Sequence, residues 1–219
     1  MNIVLDRTKK IQEDILKNAP ASLQKTNIIA VSKTFDINFI KPLIETGHIH
    51  FGENKVQEAE KKWKYVKEKN KNIKLHMVGK LQTNKVKKAI KLFDYIHSLD
   101  SKKLAETLKK CENENNKSLS YFIQVNFGNE DQKSGVEVNQ LESFFKYCKN
   151  EINLNVIGLM CLPPLNSNVE KYFYKMRELN SNLGLKELSM GMSSDYLSAI
   201  KFGSTFVRIG SAIFGERNN

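Results

Sequence analysis

The chain has 219 residues, of which 40% are hydrophobic and 27% are charged, an ordinary balance for a globular protein. No apolar run in the sequence approaches the ~18 residues of a membrane span, and residues 1–6 do not read as the start of a secretory signal. The three cysteines are too few and too scattered for a disulfide framework or a zinc site. We therefore expect a cytoplasmic protein.

The net charge of +11 raises the possibility of nucleic-acid binding, because lysines neutralise phosphates and release counterions. However, the lysines are spread over most of the predicted helices, and aromatic residues do not interleave with them as stacking platforms would. Arginine, the usual reader of base edges, is rare. Solvated helix faces explain the charge better, and nucleic-acid binding is kept as the third hypothesis.

Apolar runs and amphipathic segments alternate along the chain after a first predicted helix at residues 5–17. The predicted strands are residues 28–32, 48–51, 74–78, 95–98, 119–125, 155–160, 186–189 and 205–209. The helices predicted between them are residues 38–46, 56–67, 84–92, 102–114, 140–148, 169–183 and 196–202. This alternation predicts a parallel sheet with right-handed crossovers.

A doubly wound sheet could follow the same pattern, but about eight strand–helix units in this length fit a closed α/β barrel better. We predict one (β/α)8 TIM-type barrel with an extra N-terminal helix, and one domain over residues 1–219. The longest irregular stretch is residues 126–138, after the fifth strand. The strand ends of such a barrel meet at one mouth, where ligands bind.

Two turns rich in glycine and serine lie near the end of the chain, in residues 188–195 (LSMGMSSD) and 207–215 (VRIGSAIFG). Glycine lets the backbone approach an anion closely, and serine adds an O–H donor. In the predicted barrel, these turns follow the last two strands, where barrel phosphate sites usually lie. The pair therefore predicts a phosphate site.

Lys33 follows the first predicted strand, at the opposite end of the sequence from these turns. A lysine at the end of a buried strand is a candidate for imine chemistry, because burial favours the neutral amine that attacks an aldehyde. The alternative is a lysine whose ammonium simply reaches solvent. Together with the predicted phosphate site, Lys33 suggests pyridoxal 5′-phosphate as the cofactor.

Several further motifs strengthen this interpretation. They are residues 30–34 (AVSKT), 51–54 (FGEN), 76–85 (HMVGKLQTNK), 133–135 (KSG) and 158–160 (GLM), together with the two glycine–serine turns. In this order and over nearly the whole chain, they resemble the pyridoxal-phosphate homeostasis proteins. Those are single-domain barrels similar to the cofactor-binding domain of alanine racemase.

The resemblance implies a carrier that buffers pyridoxal phosphate, with no established catalytic activity. Lys33 matches the lysine that forms the Schiff base, and Arg208 matches the arginine that faces the pyridine nitrogen. The positions that match phosphate-binding residues are Ser193, Gly210 and Ser211. Asn54 matches a residue beside the cofactor, whereas Lys55 stands where the family often has an aromatic residue.

Arg208 favours a carrier over an enzyme. A guanidinium only donates hydrogen bonds, so it leaves the pyridine nitrogen unprotonated and weakens the cofactor as an electron sink. The alternatives are a structural ion pair for Arg208 and, for the protein, an amino-acid racemase or decarboxylase that uses the same Schiff base. We expect no catalytic residue in the chain and no metal site.

The resemblance and the loops also suggest how the protein acts. We expect a monomer whose partners, beyond pyridoxal phosphate, are acceptor apoenzymes. Lys133, in the irregular stretch, could accept the cofactor by transimination during release, although a solvated lysine is the simpler interpretation.

His48 and His50, two apart in a predicted strand, could begin a metal site, but the sequence shows no third ligand.

Overall fold

The computed structural model describes residues 2–20, 25–127, 134–164 and 167–216. The strands in this part of the chain are β1 Asn27–Val31, β2 His50–Glu53, β3 Lys74–Met77, β4 Tyr95–Leu99, β5 Ser120–Asn126, β6 Val136–Glu137, β7 Val156–Cys161, β8 Glu187–Met192 and β9 Phe206–Ile209. The α-helices are α1 Ile3–Asn18, α2 Ile37–Glu45, α3 Val56–Lys69, α4 Val86–Leu92, α5 Lys102–Asn115, α6 Leu141–Lys146, α7 Val169–Asn182, α8 Tyr196–Lys201 and α9 Ser211–Phe214.

Eight of these strands form a closed parallel barrel surrounded by the helices. The sheet order is β4-β3-β2-β1-β9-β8-β7-β5, and pairing of β4 with β5 closes the ring. The short strand β6 adds to the edge of β5 where that strand extends past its neighbour. The predicted (β/α)8 TIM-type barrel is confirmed, and so is the extra helix α1 ahead of the first strand.

Apolar residues fill two layers of the barrel. A small cluster inside it comprises Ile29, Val31, Phe122, Met160 and Phe206. The alternate residues of the strands, such as Ile28 and Ala30 of β1, pack outward against the helices in a much larger cluster. This alternation follows from the period of two along a strand, which points successive side chains to opposite faces.

Helix α1 begins at an N-cap, where the Asn2 side chain accepts a hydrogen bond from the backbone N–H of Val4 at 3.0 Å. Its buried residues Val4, Ile11 and Ile15 join the outer cluster, and the helix contacts α8 and α9. No helix in the described part of the chain is long and apolar enough to cross a membrane.

The predicted boundaries differ from the structure at two informative places. Strand β2 starts at His50, because Gly47 (φ +81°) turns the chain after α2 and the His48 N–H bonds back to Leu43 O at 3.1 Å. The predicted irregular stretch 126–138 contains β6, whose Val136 pairs with Val125. A strand of two residues is too short to show a periodic pattern in the sequence.

Candidate functional site

A cavity of about 360 Å³ opens at the carboxyl ends of β1 and β9. It is lined by Val31, Lys33, Phe35, Gly210, Ser211, Gly215 and Glu216. Three of the residues predicted from sequence, Lys33, Gly210 and Ser211, therefore share one cavity although they come from opposite ends of the chain. Its size is at the lower end of the range typical of small-molecule sites.

Lys33 is half-buried and lies two residues beyond the end of β1. The residue before it, Ser32, is fully buried and donates its hydroxyl to Oε1 of the buried Glu53 at 2.8 Å. The Lys62 ammonium bonds both to the same carboxylate oxygen at 2.9 Å and to Ser32 O at 2.8 Å. Ion pairing and hydrogen bonding thus fix the backbone from which Lys33 projects.

The residue after Lys33 is fixed as well. Thr34 has φ of +70°, an unusual value for a β-branched residue, and its backbone N–H donates to Glu58 Oε1 at 2.5 Å. Since Glu58 also lies 3.6 Å from the Lys62 ammonium, helix α3 holds both neighbours of Lys33. The sequence prediction overlooked Glu53, Glu58 and Lys62, although Glu53 lies within the FGEN motif.

Ser193 lies beside the turn that follows β9. Its Oγ accepts hydrogen bonds from the backbone N–H groups of Gly210 and Ala212, both at 3.2 Å. The two predicted glycine–serine turns are therefore in contact, as a shared phosphate site requires. Gly210 has room for more atoms, because a Cβ there would meet nothing closer than Val31 O at 3.5 Å.

Arg208, on β9, is 5% exposed and points into the barrel. One guanidinium nitrogen, Nη1, donates to both O and Oγ of Ser189 at 2.7 Å, and Nη2 donates to Cys161 O at 2.8 Å. No carboxylate in the described part of the chain forms an ion pair with Arg208, so the alternative of a structural ion pair is not supported. Burial lowers the pKa of Arg208 from its usual value.

The three hydrogen bonds of Arg208 use three of the five N–H groups of a guanidinium. The hydrogen-bond partners of Arg208 within the described residues are all neutral oxygens, and the charge of Asp195 has only a small effect that raises the pKa of Arg208. Such a group is suited to donate to a neutral ring nitrogen or to an anion.

Asn54 immediately follows β2 and is half-buried at the same end of the barrel, but it does not line the cavity around Lys33. Its backbone is closely covered by Gly79, where a Cβ would lie 2.5 Å from Asn54 O.

Lys133 lies outside the described residues. Within them, no group of three or more histidine, cysteine or acidic side chains could hold a metal ion.

His48 precedes β2, so the two histidines do not lie in one strand, contrary to the prediction. His50 instead bonds through Nδ1 to Nε2 of the buried His76 at 2.9 Å. The sequence prediction missed this contact because the two rings are on neighbouring strands.

Comparison with known proteins identifies the family. The model of the alanine racemase N-terminal domain matches residues 9–218. A pyridoxal phosphate homeostasis protein of Aquifex aeolicus is 39% identical, with 97% of each chain covered. One of Haemophilus influenzae is 37% identical over 94% of this chain and 91% of its own. The chain belongs to the pyridoxal phosphate homeostasis protein family.

A member of known structure shows how far the likeness extends. PipY of Synechococcus elongatus, solved with pyridoxal phosphate (PLP) bound, is 32% identical, with a TM-score of 0.85 over 97% of this chain and 100% of its own. Alanine racemase of Corynebacterium glutamicum, at 16% identity and a TM-score of 0.74, shares the fold over 99% of this chain and 61% of its own. The homeostasis family thus has the barrel of the racemases.

Proposed function

We propose that this chain binds pyridoxal 5′-phosphate through a Schiff base on Lys33 and acts as a carrier that buffers the cofactor in the cytoplasm, without strong catalytic activity. The names of the relatives and the PLP-bound PipY structure support the cofactor. The observation that carries the proposal is the cavity in which Lys33 lies with Gly210 and Ser211.

The residues present fit the two ends of the cofactor. Lys33 supplies an amine for the aldehyde, and the turn after β9 supplies Gly210 and the hydroxyl of Ser211 for the phosphate. The space beside Gly210, which a side chain would fill, suits the close approach of a phosphate to the backbone. Ser193 holds this turn in place through its two hydrogen bonds.

Arg208 and Asn54 complete the proposed site. When bound, the cofactor supplies an electrophilic aldehyde and a ring that withdraws electrons. Arg208 donates to the ring nitrogen and, since a guanidinium retains its protons, leaves that nitrogen unprotonated. Asn54 is assigned a place beside the ring, because it immediately follows β2, the strand adjacent to β1.

The carrier role includes transfer of the cofactor. We assign acceptor apoenzymes as partners, with the protein acting as a monomer. Nucleic acid is not part of this proposal, since the lysines of the chain are distributed over its helices.

The test is absorbance of the protein after incubation with pyridoxal 5′-phosphate, followed by borohydride reduction and peptide mass spectrometry. We expect a near-visible band that borohydride bleaches, with the reduced adduct on Lys33. Lys33→Ala should lose the band and keep the fold. The matched control is Lys80→Ala, which removes an exposed lysine after β3 and should leave the band unchanged.

An adduct found mainly on another lysine would refute the assignment of Lys33. Incubation of the loaded protein with a panel of amino acids separates the carrier from a racemase or decarboxylase. Turnover of any of them that is lost in Lys33→Ala would favour the enzyme.

A further inference from the structure

A chain of hydrogen bonds crosses the interior of the barrel and ends at Arg208. His50 Nδ1 lies 2.9 Å from His76 Nε2, and His76 Nδ1 lies 2.9 Å from His97 Nε2. His97 Nδ1 is 2.8 Å from Ser189 Oγ, which accepts from Arg208 Nη1 at 2.7 Å. The chain runs along β2, β3 and β4, then passes across the barrel to β8 and β9.

Aromatic rings enclose the three histidines. Tyr95 stacks on His76 with ring centroids 4.2 Å apart, and Phe122 stacks on His97 at 4.3 Å. Phe206, two residues before Arg208 on β9, packs against all three imidazoles. His76 and His97 are fully buried, so the inner part of the chain is shielded from water.

This environment keeps the rings neutral. Burial is the largest cause that lowers the pKa of His76 and His97 well below the usual value. The charge of Arg208 lowers the pKa of His97 further. Burial also lowers the pKa of His50 to about 4, with smaller effects of His48, Lys25 and Lys74 in the same direction and of Asp94 in the opposite one.

In a neutral chain, the direction of every bond follows from Arg208 together with the need of the fully buried Ser189 hydroxyl proton for an acceptor. A guanidinium can only donate, so Ser189 Oγ is an acceptor toward Arg208. The hydroxyl proton then bonds to His97 Nδ1, its one other contact within the described residues. His97 must carry its own proton on Nε2 and donate it to His76 Nδ1, and His76 Nε2–H in turn donates to His50 Nδ1.

We propose that His50, His76 and His97, all neutral and protonated on Nε2, are positioning residues that orient Arg208 through the hydroxyl of Ser189. The orientation of Arg208 by this chain does not depend on the proposed function. Only its purpose does, which is to direct the remaining N–H groups of Arg208 toward the cofactor ring. A histidine in the other tautomer would present an N–H to a neighbouring N–H and break the chain. A cationic histidine would add a second positive charge beside the guanidinium.

The experiment uses the protein without cofactor, labelled with ¹⁵N, and reads the protonated nitrogen of each imidazole by NMR at pH 7.5. We expect His50, His76 and His97 to be neutral with the proton on Nε2. We also expect slowly rotating guanidinium N–H signals from Arg208, assigned by their loss in Arg208→Lys. A cationic ring or a proton on Nδ1 at any of the three histidines would overturn the proposal.

The decisive variant is Ser189→Ala, which removes one hydroxyl and leaves in place the hydrogen bond from Arg208 Nη1 to the backbone carbonyl of residue 189. Because the chain is continuous, we expect mixed tautomers at His50, three contacts away, and averaging of the Arg208 signals. The matched control is Ser204→Ala, which removes a buried hydroxyl that bonds to Met190 O at 2.6 Å outside the chain. A change confined to His97 would show a local structural role and refute the proposal.

Affinity for pyridoxal 5′-phosphate gives a second readout. We expect Ser189→Ala to bind about tenfold more weakly, equivalent to about 1.4 kcal/mol, and Ser204→Ala to bind as the wild type. Equal affinity of Ser189→Ala and the wild type would refute the positioning role. If the wild type itself does not bind, the proposed function fails, and the NMR results still decide whether the chain orients Arg208.

Discussion

Gly210 illustrates how a single residue can serve a ligand instead of the fold. A Cβ at this position would make only ordinary contacts with Val31. Packing in the protein therefore does not require glycine here. In the proposed function, the missing side chain leaves room for the phosphate.

Substitution at this position separates ligand binding from stability. Gly210→Val should destabilise the cofactor-free protein less than Gly191→Val does. It should weaken binding of pyridoxal 5′-phosphate by about ten- to hundredfold, as much as the loss of one charge-assisted hydrogen bond, because the new side chain fills the space proposed for the phosphate. Titration followed by absorbance measures the affinity, and urea unfolding measures the stability. The matched control, Gly191→Val, should instead destabilise the protein, because Gly191 has φ of +91° and a Cβ there would lie 2.6 Å from Ala199 Cβ.

Helix α3 supports the segment that carries Lys33. Lys62 contributes an ammonium whose side chain is 9% exposed and which neutralises the fully buried Glu53. Trp63, the next residue on the helix, donates its indole N–H to the same carboxylate oxygen at 2.9 Å. One turn of α3 thus supports the end of β1 from the outside of the barrel.

Removal of the ammonium should destabilise the whole protein. Lys62→Met keeps most of the side-chain volume but leaves Glu53 as an unpaired buried charge, at a cost of about 3–5 kcal/mol in unfolding free energy. Urea unfolding at neutral pH measures the loss. Lys61→Met, an exposed neighbour on the same helix, should change the stability by less than about 0.5 kcal/mol; equal stability of the two variants would show that Lys62 does not support Glu53.

At the scale of the molecule, the histidines make stability depend on pH. His76 and His97 stay neutral in the folded protein well below the pH at which they gain protons when unfolded, since their pKa values are lowered from 6.5. The unfolded chain therefore binds more protons, and the unfolding free energy falls as the pH drops below about 6.5, by up to about 1.4 kcal/mol per pH unit for each histidine.

Urea unfolding between pH 7.5 and pH 5 tests this dependence. We expect a steady loss of stability below pH 6.5, to which His50 contributes down to pH 5, since its folded pKa of about 4 lies below this range. His76→Gln should show a shallower slope, by about one proton, whatever its stability at pH 7.5. A stability that is constant from pH 7.5 to pH 5 would contradict the neutral state of these rings.

The fold and the shared location of Lys33, Gly210 and Ser211 were accessible from the sequence because both depend on local patterns. Strand–helix alternation predicts the barrel, and glycine, serine and a lysine at strand ends predict the cavity that contains Lys33, Gly210 and Ser211. The histidine chain was not accessible. His76 and His97 are 21 positions apart in the sequence, and His97 and Ser189 are 92 positions apart. Only the closed barrel brings them together.

The pairing of β1 with β9 has a consequence for how the protein acquires its ligand. The Thr26 hydroxyl donates to Ser204 O, and these residues are 178 positions apart, so this seam of the barrel has a high loop-closure entropy and is expected to form late in folding. The cavity lies across the seam, with Lys33 on one side and Gly210 on the other. A ligand held by both sides binds only the closed ring, so its binding stabilises the pairing of the first strand with the last.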